Sequence, residues 1–194
     1  AAASGVRAMT SSSSPGVSLK SEGISYIAGC DLPCVIVNVQ RGGPGLGGIQ
    51  PSQSDYYMAT KAGGHGDFHL LVFAPASVQD MADFAVWAFE SADKYRMPAM
   101  ILSDGLLGQM MEPASYGEYP YPEIDCSSWA LTGAKGREGR AIYSCARDED
   151  EQNNHIRHLF QKYDLIAKEE TDWEEHNTED AEVILVAFGS MGRN

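Results

Sequence analysis

Cys34-Val35-Ile36-Val37-Asn38-Val39-Gln40-Arg41-Gly42-Gly43-Pro44-Gly45-Leu46-Gly47-Gly48 is the stretch that decides the fold. Cys34 to Val39 is a continuous run rich in β-branched residues, the pattern of a strand covered on both faces. A long glycine loop follows it at once. Working outward, Leu19, Ile24, Ile27 and Ala28 fit a small helix before the strand, and Val6–Thr10 is a short apolar stretch ahead of the turn-like run Ser11–Gly16. Downstream, a polar segment with Gln50, Gln53 and Asp55 leads to a short helix, and His65-Gly66-Asp67 turns the chain into a strand over 68–74. Ser77 and Asp80 have capping-box spacing for a helix carrying Val78, Met81, Ala82, Ala85, Phe89 and Ala92, with Lys94 and Arg96 at its end. Met100-Ile101-Leu102 is another buried strand.

Strands alternating with helices at these spacings predict right-handed βαβ units: an α/β fold, a parallel sheet flanked by helices. Ligands of such sheets sit beyond the carboxyl ends of the strands. The loops over 41–48 and 104–109 lie at those ends. From Glu112 to Asp150 the chain turns to Pro, Tyr, Gly and Ser and reads as a long connector. Ile156, Leu159, Phe160, Tyr163 and Ile166 mark a second helix, an acidic stretch runs over 169–180, and Val183–Phe188 reads as a strand. The expected organisation is one domain over residues 1–115, a connector and helix over 116–175, and the opening of a further α/β domain over 176–194. Both ends read as cut within an element, as in a piece of a longer protein.

Composition excludes some functions. Lys and Arg number 14 against 27 Asp and Glu, a formal net charge of −13. That balance argues against nucleic acid and anionic membrane as partners. No apolar run reaches the ~20 residues of a membrane span. The four cysteines, Cys30, Cys34, Cys126 and Cys145, form no CxxC and have no metal-ligand spacing, which predicts reduced thiols in a cytoplasmic protein and no iron–sulfur cluster on this chain.

The glycine loop is not a P-loop, because no Gly-Lys-Ser/Thr follows, and Pro44 spoils a dinucleotide fingerprint. Arg41 stands alone at the end of the buried strand, where a guanidinium can hold a carboxylate in a bidentate pair while the glycines leave room for it. Pairing with an acid across an interface is the competing reading. His65 and His69 near Asp67 read as structural or interface histidines, His155 and His158 as a solvated helix face, and Met110, Met111 and Trp87 as packing. Gly-x-Ser-x-Gly is absent.

The run GVRAMTSSSSPGVSLKSEGISYIAGCDLPCVIVNVQRGGPGLGGIQPSQSD, continued by ATKAGGHGDFHLLVFAPASVQDMADFAVWAFESADKYRMPAMILSDGLLGQMMEP and later by TEDAEVILVAFGS, resembles the alpha-type subunits of 2-oxoacid:ferredoxin oxidoreductases, in their domain that binds the pyrimidine of thiamine diphosphate. TSSSSPG, QRGGPGLG, IQPSQSD and DGLLGQMMEP look most like the 2-oxoisovalerate (3-methyl-2-oxobutanoate) enzymes, with pyruvate and 2-oxoglutarate relatives sharing the architecture. The resemblance implies oxidative decarboxylation of a branched-chain 2-oxo acid to acyl-CoA and CO₂ with reduction of ferredoxin. Thiamine diphosphate would be shared with a beta-type subunit, and Mg²⁺ and [4Fe–4S] clusters would lie on partner subunits, among them gamma and ferredoxin-like delta subunits. Coenzyme A would be the co-substrate.

It also implies residue roles. Ser13, Ser14, Pro15 and Gly16 match the family loop near the pyrimidine, Arg41 the arginine that binds the substrate carboxylate, and Gly42, Gly43 and Gly45 the loop closing over substrate. His65-Gly66-Asp67 matches the family without a role to transfer. The family's catalytic glutamate and its Tyr-Pro-Ile-Thr-Pro segment do not occur in this sequence, and Glu22 is not at the equivalent place, so this stretch alone is expected to be inactive. The alternatives are a non-catalytic interaction subunit of such a complex, and another thiamine enzyme of transketolase or decarboxylase type.

Overall fold

A computed structural model describes residues 1–61, 63–119 and 123–193. Its strands are β1 (Met9–Ser12), β2 (Cys34–Gln40), β3 (Leu71–Phe73) and β4 (Pro98–Asp104), and its helices α1 (Ser14–Ser18), α2 (Ser21–Gly29), α3 (Tyr56–Thr60), α4 (Val78–Tyr95), α5 (Glu149–Glu169) and α6 (Gly189–Gly192). The strands form one all-parallel sheet in the order β1-β2-β4-β3, with Ile36 beside Met100 and Gln40 beside Asp104. The expected parallel α/β architecture is the observed one. The chain divides into two compact units, one of Ala1–Ser144 with the C-terminal residues from Phe188, the other Cys145–Ala187.

The central strands sit where their composition sends them. Every residue of β4 is buried, and Val35 and Ile36 of β2 are 0% exposed. Alternation along a strand puts Ile36, Asn38 and Gln40 on one face of the sheet and Val35, Val37 and Val39 on the other. Ile36 and Met100 lie in an apolar cluster with Val17, Ile24, Ala28, Ala59, Phe68 and Leu102, so α1, α2 and α3 supply the cover on that face. α4 buries Ala88, Ser91, Ala92 and Tyr95, an i, i+3, i+4, i+7 stripe. Its start is the capping box foreseen from Ser77 and Asp80: the Ser77 side chain accepts from the Asp80 amide at 3.0 Å, and the Asp80 carboxylate accepts from the Ser77 amide at 3.1 Å. Arg96 ends it in the left-handed region. Arg7 pairs with Asp93 at 2.9 Å, fastening the segment before β1 to this helix.

Several expectations are corrected. The turn expected over 11–16 is the end of β1 followed directly by α1, with Pro15 and Gly16 inside the helix; Pro at a first turn costs no hydrogen bond there. The strand expected over 68–74 is shorter, Leu71–Phe73. Val183–Phe188 forms no strand, and Val183, Ile184, Leu185 and Val186 are 61–94% exposed. Met111 is 97% exposed rather than packed, while Trp87 rests on Phe84 at 5.2 Å between ring centres. Between Gln109 and Glu149 the described residues hold no helix or strand. In α5, His158 is exposed, but His155 is half-buried, its Nε2 buried with no hydrogen-bond partner among the described residues, so only one of the pair fits a solvated face.

Ile36→Ala should destabilise the chain by about 2–5 kcal/mol, the cost of a large-to-small change in a packed core. Leu19→Ala, at a side chain 88% exposed, should cost less than about 0.5 kcal/mol. Denaturant unfolding of the two variants beside the parent checks both.

Candidate functional site

The C-terminal end of β2 is where the site begins, and its burial runs against ordinary hydropathy. Asn38 and Gln40 are 0% and 1% exposed, while Val37 and Val39 beside them are only half-buried. A buried amide is costly unless every donor and acceptor is met, so these two residues must face polar partners. They do. The Ser14 backbone N–H donates to Asn38 Oδ1 at 3.0 Å, and Asn38 Nδ2 donates to Asp55 Oδ2 at 2.9 Å. The Ser14 hydroxyl donates to the same Asp55 Oδ2 at 2.5 Å, closing a three-residue ring. Gln40 Oε1 accepts from the Asp55 backbone N–H at 3.1 Å.

Arg41 is held from both sides through its backbone. Its N–H donates to Ser14 Oγ at 2.9 Å, and its carbonyl accepts from Ser54 Oγ at 2.8 Å. It pairs as a bridge with Pro51, Gly42 N–H donates to the Gln50 carbonyl at 3.3 Å, and Gly48 N–H donates to the Gly42 carbonyl at 2.9 Å, so the glycine loop folds back as a narrow hairpin. Gly47 is obligatory there: its φ is +61°, and a Cβ would stand 1.7 Å from the Gly42 oxygen. The Arg41 side chain is different. Its Nε is buried and has no hydrogen-bond partner among the described residues. A buried cationic donor left unmet on a clamped backbone is the feature to expect of a group that awaits an anion.

The residues singled out around Ser13 gather at the same place. Ser13 ends β1's extension and precedes α1, and its side chain caps nothing in that helix. Ser14 is buried and belongs to the ring, and Pro15 and Gly16 form the first turn. At Gly16 a Cβ would come within 2.0 Å of Ser12 Oγ, so a larger residue there would make Ser12 turn to another rotamer. Lys20 reaches back to Thr10 Oγ1 at 2.7 Å and to the Ser11 carbonyl at 3.0 Å. Gly42, Gly43 and Gly45 lie on the Arg41 hairpin; Gly43 and Gly45 have open space where a side chain would be. His65, Gly66 and Asp67 lie on an exposed loop tied by the Ser25 hydroxyl to the His65 carbonyl at 3.0 Å. The structure joins Ser14 to Arg41 through direct hydrogen bonds and does not bring the His65 loop into that network. Sequence reading missed Asn38, Gln40 and Asp55. The signal was available: an asparagine inside an otherwise β-branched buried run has to be satisfied by something.

Beyond β4, Asp104 is 3% exposed; its Oδ1 accepts from the Leu106 and Leu107 amides at 2.8 and 3.2 Å, and its other oxygen accepts from the Ser190 hydroxyl. Gln53 Nε2 donates to the Phe188 carbonyl at 2.8 Å, Phe188 packs on Tyr56, and Arg193 pairs with Glu112. The 188–193 segment is thus fastened across the carboxyl edge of the sheet. All four cysteines are free, and burial pushes the Cys30 and Cys34 thiols above their ordinary range, which leaves little reactive thiolate at neutral pH. Among the described residues no group of three metal-ligating side chains occurs, and no helix is long and apolar enough to cross a membrane.

This combination, a parallel sheet with a cradle at the ends of β1 and β2, belongs to a thiamine-diphosphate-binding domain: residues 1–171 match the family model described as "Pyruvate flavodoxin/ferredoxin oxidoreductase, thiamine diP-bdg", and the chain is a member of that family. Within it, the chain is 48% identical over 193 residues to ketoisovalerate oxidoreductase subunit VorB of Methanothermobacter marburgensis, covering 100% of this chain and 55% of that one. It is 34% identical over 222 residues to 2-oxoglutarate synthase subunit KorA of Methanothermobacter thermautotrophicus, covering 98% of this chain and 58% of the other. Among solved structures it is similar to the 2-oxoglutarate:ferredoxin oxidoreductase from Magnetococcus marinus with 2-oxoglutarate, coenzyme A and succinyl-CoA bound, at 25% identity and a TM-score of 0.69 over 88% of this chain and 35% of that one. The chain spans about half the length of the curated relatives it matches.

The fastening at Glu112 carries a pH dependence. The Val78 amide, and then the Arg193 guanidinium, hold the Glu112 carboxyl below its ordinary range. A group with a lowered folded-state pKa contributes stability that is present above its unfolded value and lost as pH falls through the folded one. Glu112→Gln should therefore be less stable than the parent near neutral pH, and the difference should close on acidification below the ordinary carboxylate range. Paired urea titrations across that range measure it; a gap that widens in acid contradicts the assignment.

Proposed function

We propose that this chain is the part of an alpha-type subunit that cradles the pyrimidine of thiamine diphosphate in a 2-oxoacid:ferredoxin oxidoreductase acting on 3-methyl-2-oxobutanoate and similar branched-chain 2-oxo acids. The observation that carries the reading is Arg41: a backbone clamped by Ser14 and Ser54, and a buried Nε with no hydrogen-bond partner among the described residues. The highest identity quoted above, 48% to a ketoisovalerate oxidoreductase subunit, supports the branched-chain substrate over 2-oxoglutarate.

When bound, thiamine diphosphate supplies the electron sink for breaking the bond between a carboxylate and its neighbouring carbonyl carbon. This chain's residues bind and orient. Arg41 holds the substrate carboxylate in a charge-assisted pair, which fixes the distance of the carbonyl from the cofactor. Ser13, whose hydroxyl is not spent on capping, and the backbone of Ser14, Pro15 and Gly16 line the pyrimidine side. Gly42, Gly43 and Gly45 let the hairpin approach the substrate without a side chain in the way. The remaining parts of the reaction fall to partners: a beta-type subunit that holds the diphosphate through Mg²⁺, gamma and ferredoxin-like delta subunits, [4Fe–4S] clusters that pass electrons to ferredoxin, and coenzyme A that takes the acyl group, all in the cytoplasm. Residues 176–194 are the opening of a following α/β domain, a reading supported by the aliphatic run 183–186, which is exposed and unpaired.

The test is coenzyme-A-dependent viologen reduction by the full-length subunit assembled with its partners, on 3-methyl-2-oxobutanoate, pyruvate and 2-oxoglutarate. The branched acid should give the highest kcat/KM. Arg41→Ala should lower it about 10- to 100-fold, as expected for loss of a hydrogen-bonded charge partner, with Arg41→Lys between. A preference for another acid overturns the substrate, and no activity from an assembled complex leaves a non-catalytic subunit.

A further inference from the structure

The ring around Asp55 has a direction, and the direction matters for Arg41. The Ser14 backbone N–H points at Asn38 Oδ1 at 3.0 Å, so the amide of Asn38 must turn its Nδ2 toward Asp55 Oδ2. Asp55 Oδ2 is thereby an acceptor. The Ser14 hydroxyl has one proton, which goes to that oxygen at 2.5 Å rather than to the Arg41 carbonyl at 3.4 Å. With its proton committed, Ser14 Oγ presents lone pairs to the Arg41 N–H, 2.9 Å away. Each bond in the sequence Asn38, Asp55, Ser14, Arg41 is set by the one before it. Asp55 also offers its own N–H to Gln40 Oε1, so Asp55 is pinned to the last residue of β2, next to Arg41.

We infer that Asp55 is a positioning residue for substrate binding: by fixing the Ser14 hydroxyl it fixes the backbone of Arg41, and so the place from which the guanidinium meets the 2-oxo acid carboxylate. This rests on the reading of Arg41 given above. Asp55 is 8% exposed and acts through Ser14 and Arg41 without contact to the acid. Without it, the Ser14 hydroxyl and the Asn38 amide lose the acceptor they share. The hydroxyl then turns to the Arg41 carbonyl or takes another rotamer, and the Arg41 amide loses its fixed partner. β2 itself cannot absorb the change, because Ile36 and Asn38 are close-packed and paired in register with Met100 and Leu102.

The experiment uses the assembled complex with full-length subunit and the viologen assay on 3-methyl-2-oxobutanoate. Asp55→Ala should raise KM for the 2-oxo acid on the order of 10-fold, with a smaller fall in kcat and KM for coenzyme A unmoved. Asp55→Asn, which can place its amide oxygen where Oδ2 stands, should recover most of that loss. In an Arg41→Ala background, Asp55→Ala should add less than about 2-fold, because a residue acting through Arg41 has nothing left to position. Penalties that add in the double variant, or a loss shared equally by KM for coenzyme A, overturn the inference while leaving Arg41 in place. An Arg41→Ala variant with unchanged KM overturns the reading of Arg41 and the role of Asp55 with it. Should Asp55→Ala fail to assemble, Asn38→Asp decides. It sets two carboxyl oxygens where Nδ2 met Oδ2 at 2.9 Å, and such a pair stays together only while it shares a proton. KM for the 2-oxo acid should then climb as pH is raised, over a range where the parent is flat. A flat profile for that variant also overturns the inference.

Discussion

A carboxylate taken out of water must be met by donors, and the donors that meet Asp55 come from separate parts of the chain. The Ser14 hydroxyl brings the first turn of α1, and the Asn38 amide brings the end of β2. The Asp55 amide in turn needs Gln40. The loop over 41–54 therefore has little freedom once the sheet has formed: its start is fixed by β2 and its end by Asp55. What lies between is a hairpin short enough to need Gly47 in a left-handed conformation. Loss of any one donor would leave the Asp55 carboxylate short of a partner in a region that excludes solvent, so the constraint is shared rather than local.

The carboxyl edge of the sheet repeats the pattern at β4. Asp104 spends one oxygen on the amides of the turn that follows it and the other on Ser190. Both Asn38-Val39-Gln40 and Ser103-Asp104 place polar side chains on otherwise apolar strands only in their last residues. That is where a parallel sheet stops being covered by helices and starts to meet loops and ligands. The 188–193 segment lies on the same edge through Gln53, Asp104 and Glu112, so the loop that carries Arg41 and the segment after the exposed aliphatic run share Gln53 as a neighbour.

How far the sequence could be read follows from which forces are local. β2, β4 and α4 were legible because a β-branched run, an apolar run, and a 3.6-residue stripe with its Ser77–Asp80 cap are written in nearby residues. Arg41 was legible as an isolated cation among glycines. The ring was not, because Ser14, Asn38 and Asp55 are separated by 24 and 17 residues, and only folding sets them side by side. Asn38 was hidden inside a run that reads as hydrophobic, and its burial exceeds that of the valines around it. The serine-rich turn before α1 was read as irregular because strand end and helix start abut without a loop. Val183–Phe188 has the composition of a strand, but composition cannot supply the neighbour that a strand requires.

Alternation along β2 ties two properties of the protein together. Ile36 on one face packs the core, and Asn38 and Gln40, two and four residues on, build the polar ring from that same face. A slip of one residue against β4 would turn all three over at once and send Val35, Val37 and Val39 in their place. A one-residue misregister therefore cannot keep the apolar cluster while losing the polar ring, or the reverse. In this chain the fraction of molecules that close the ring of Ser14, Asn38 and Asp55 is also a measure of the fraction whose β2 has not slipped by one residue against β4.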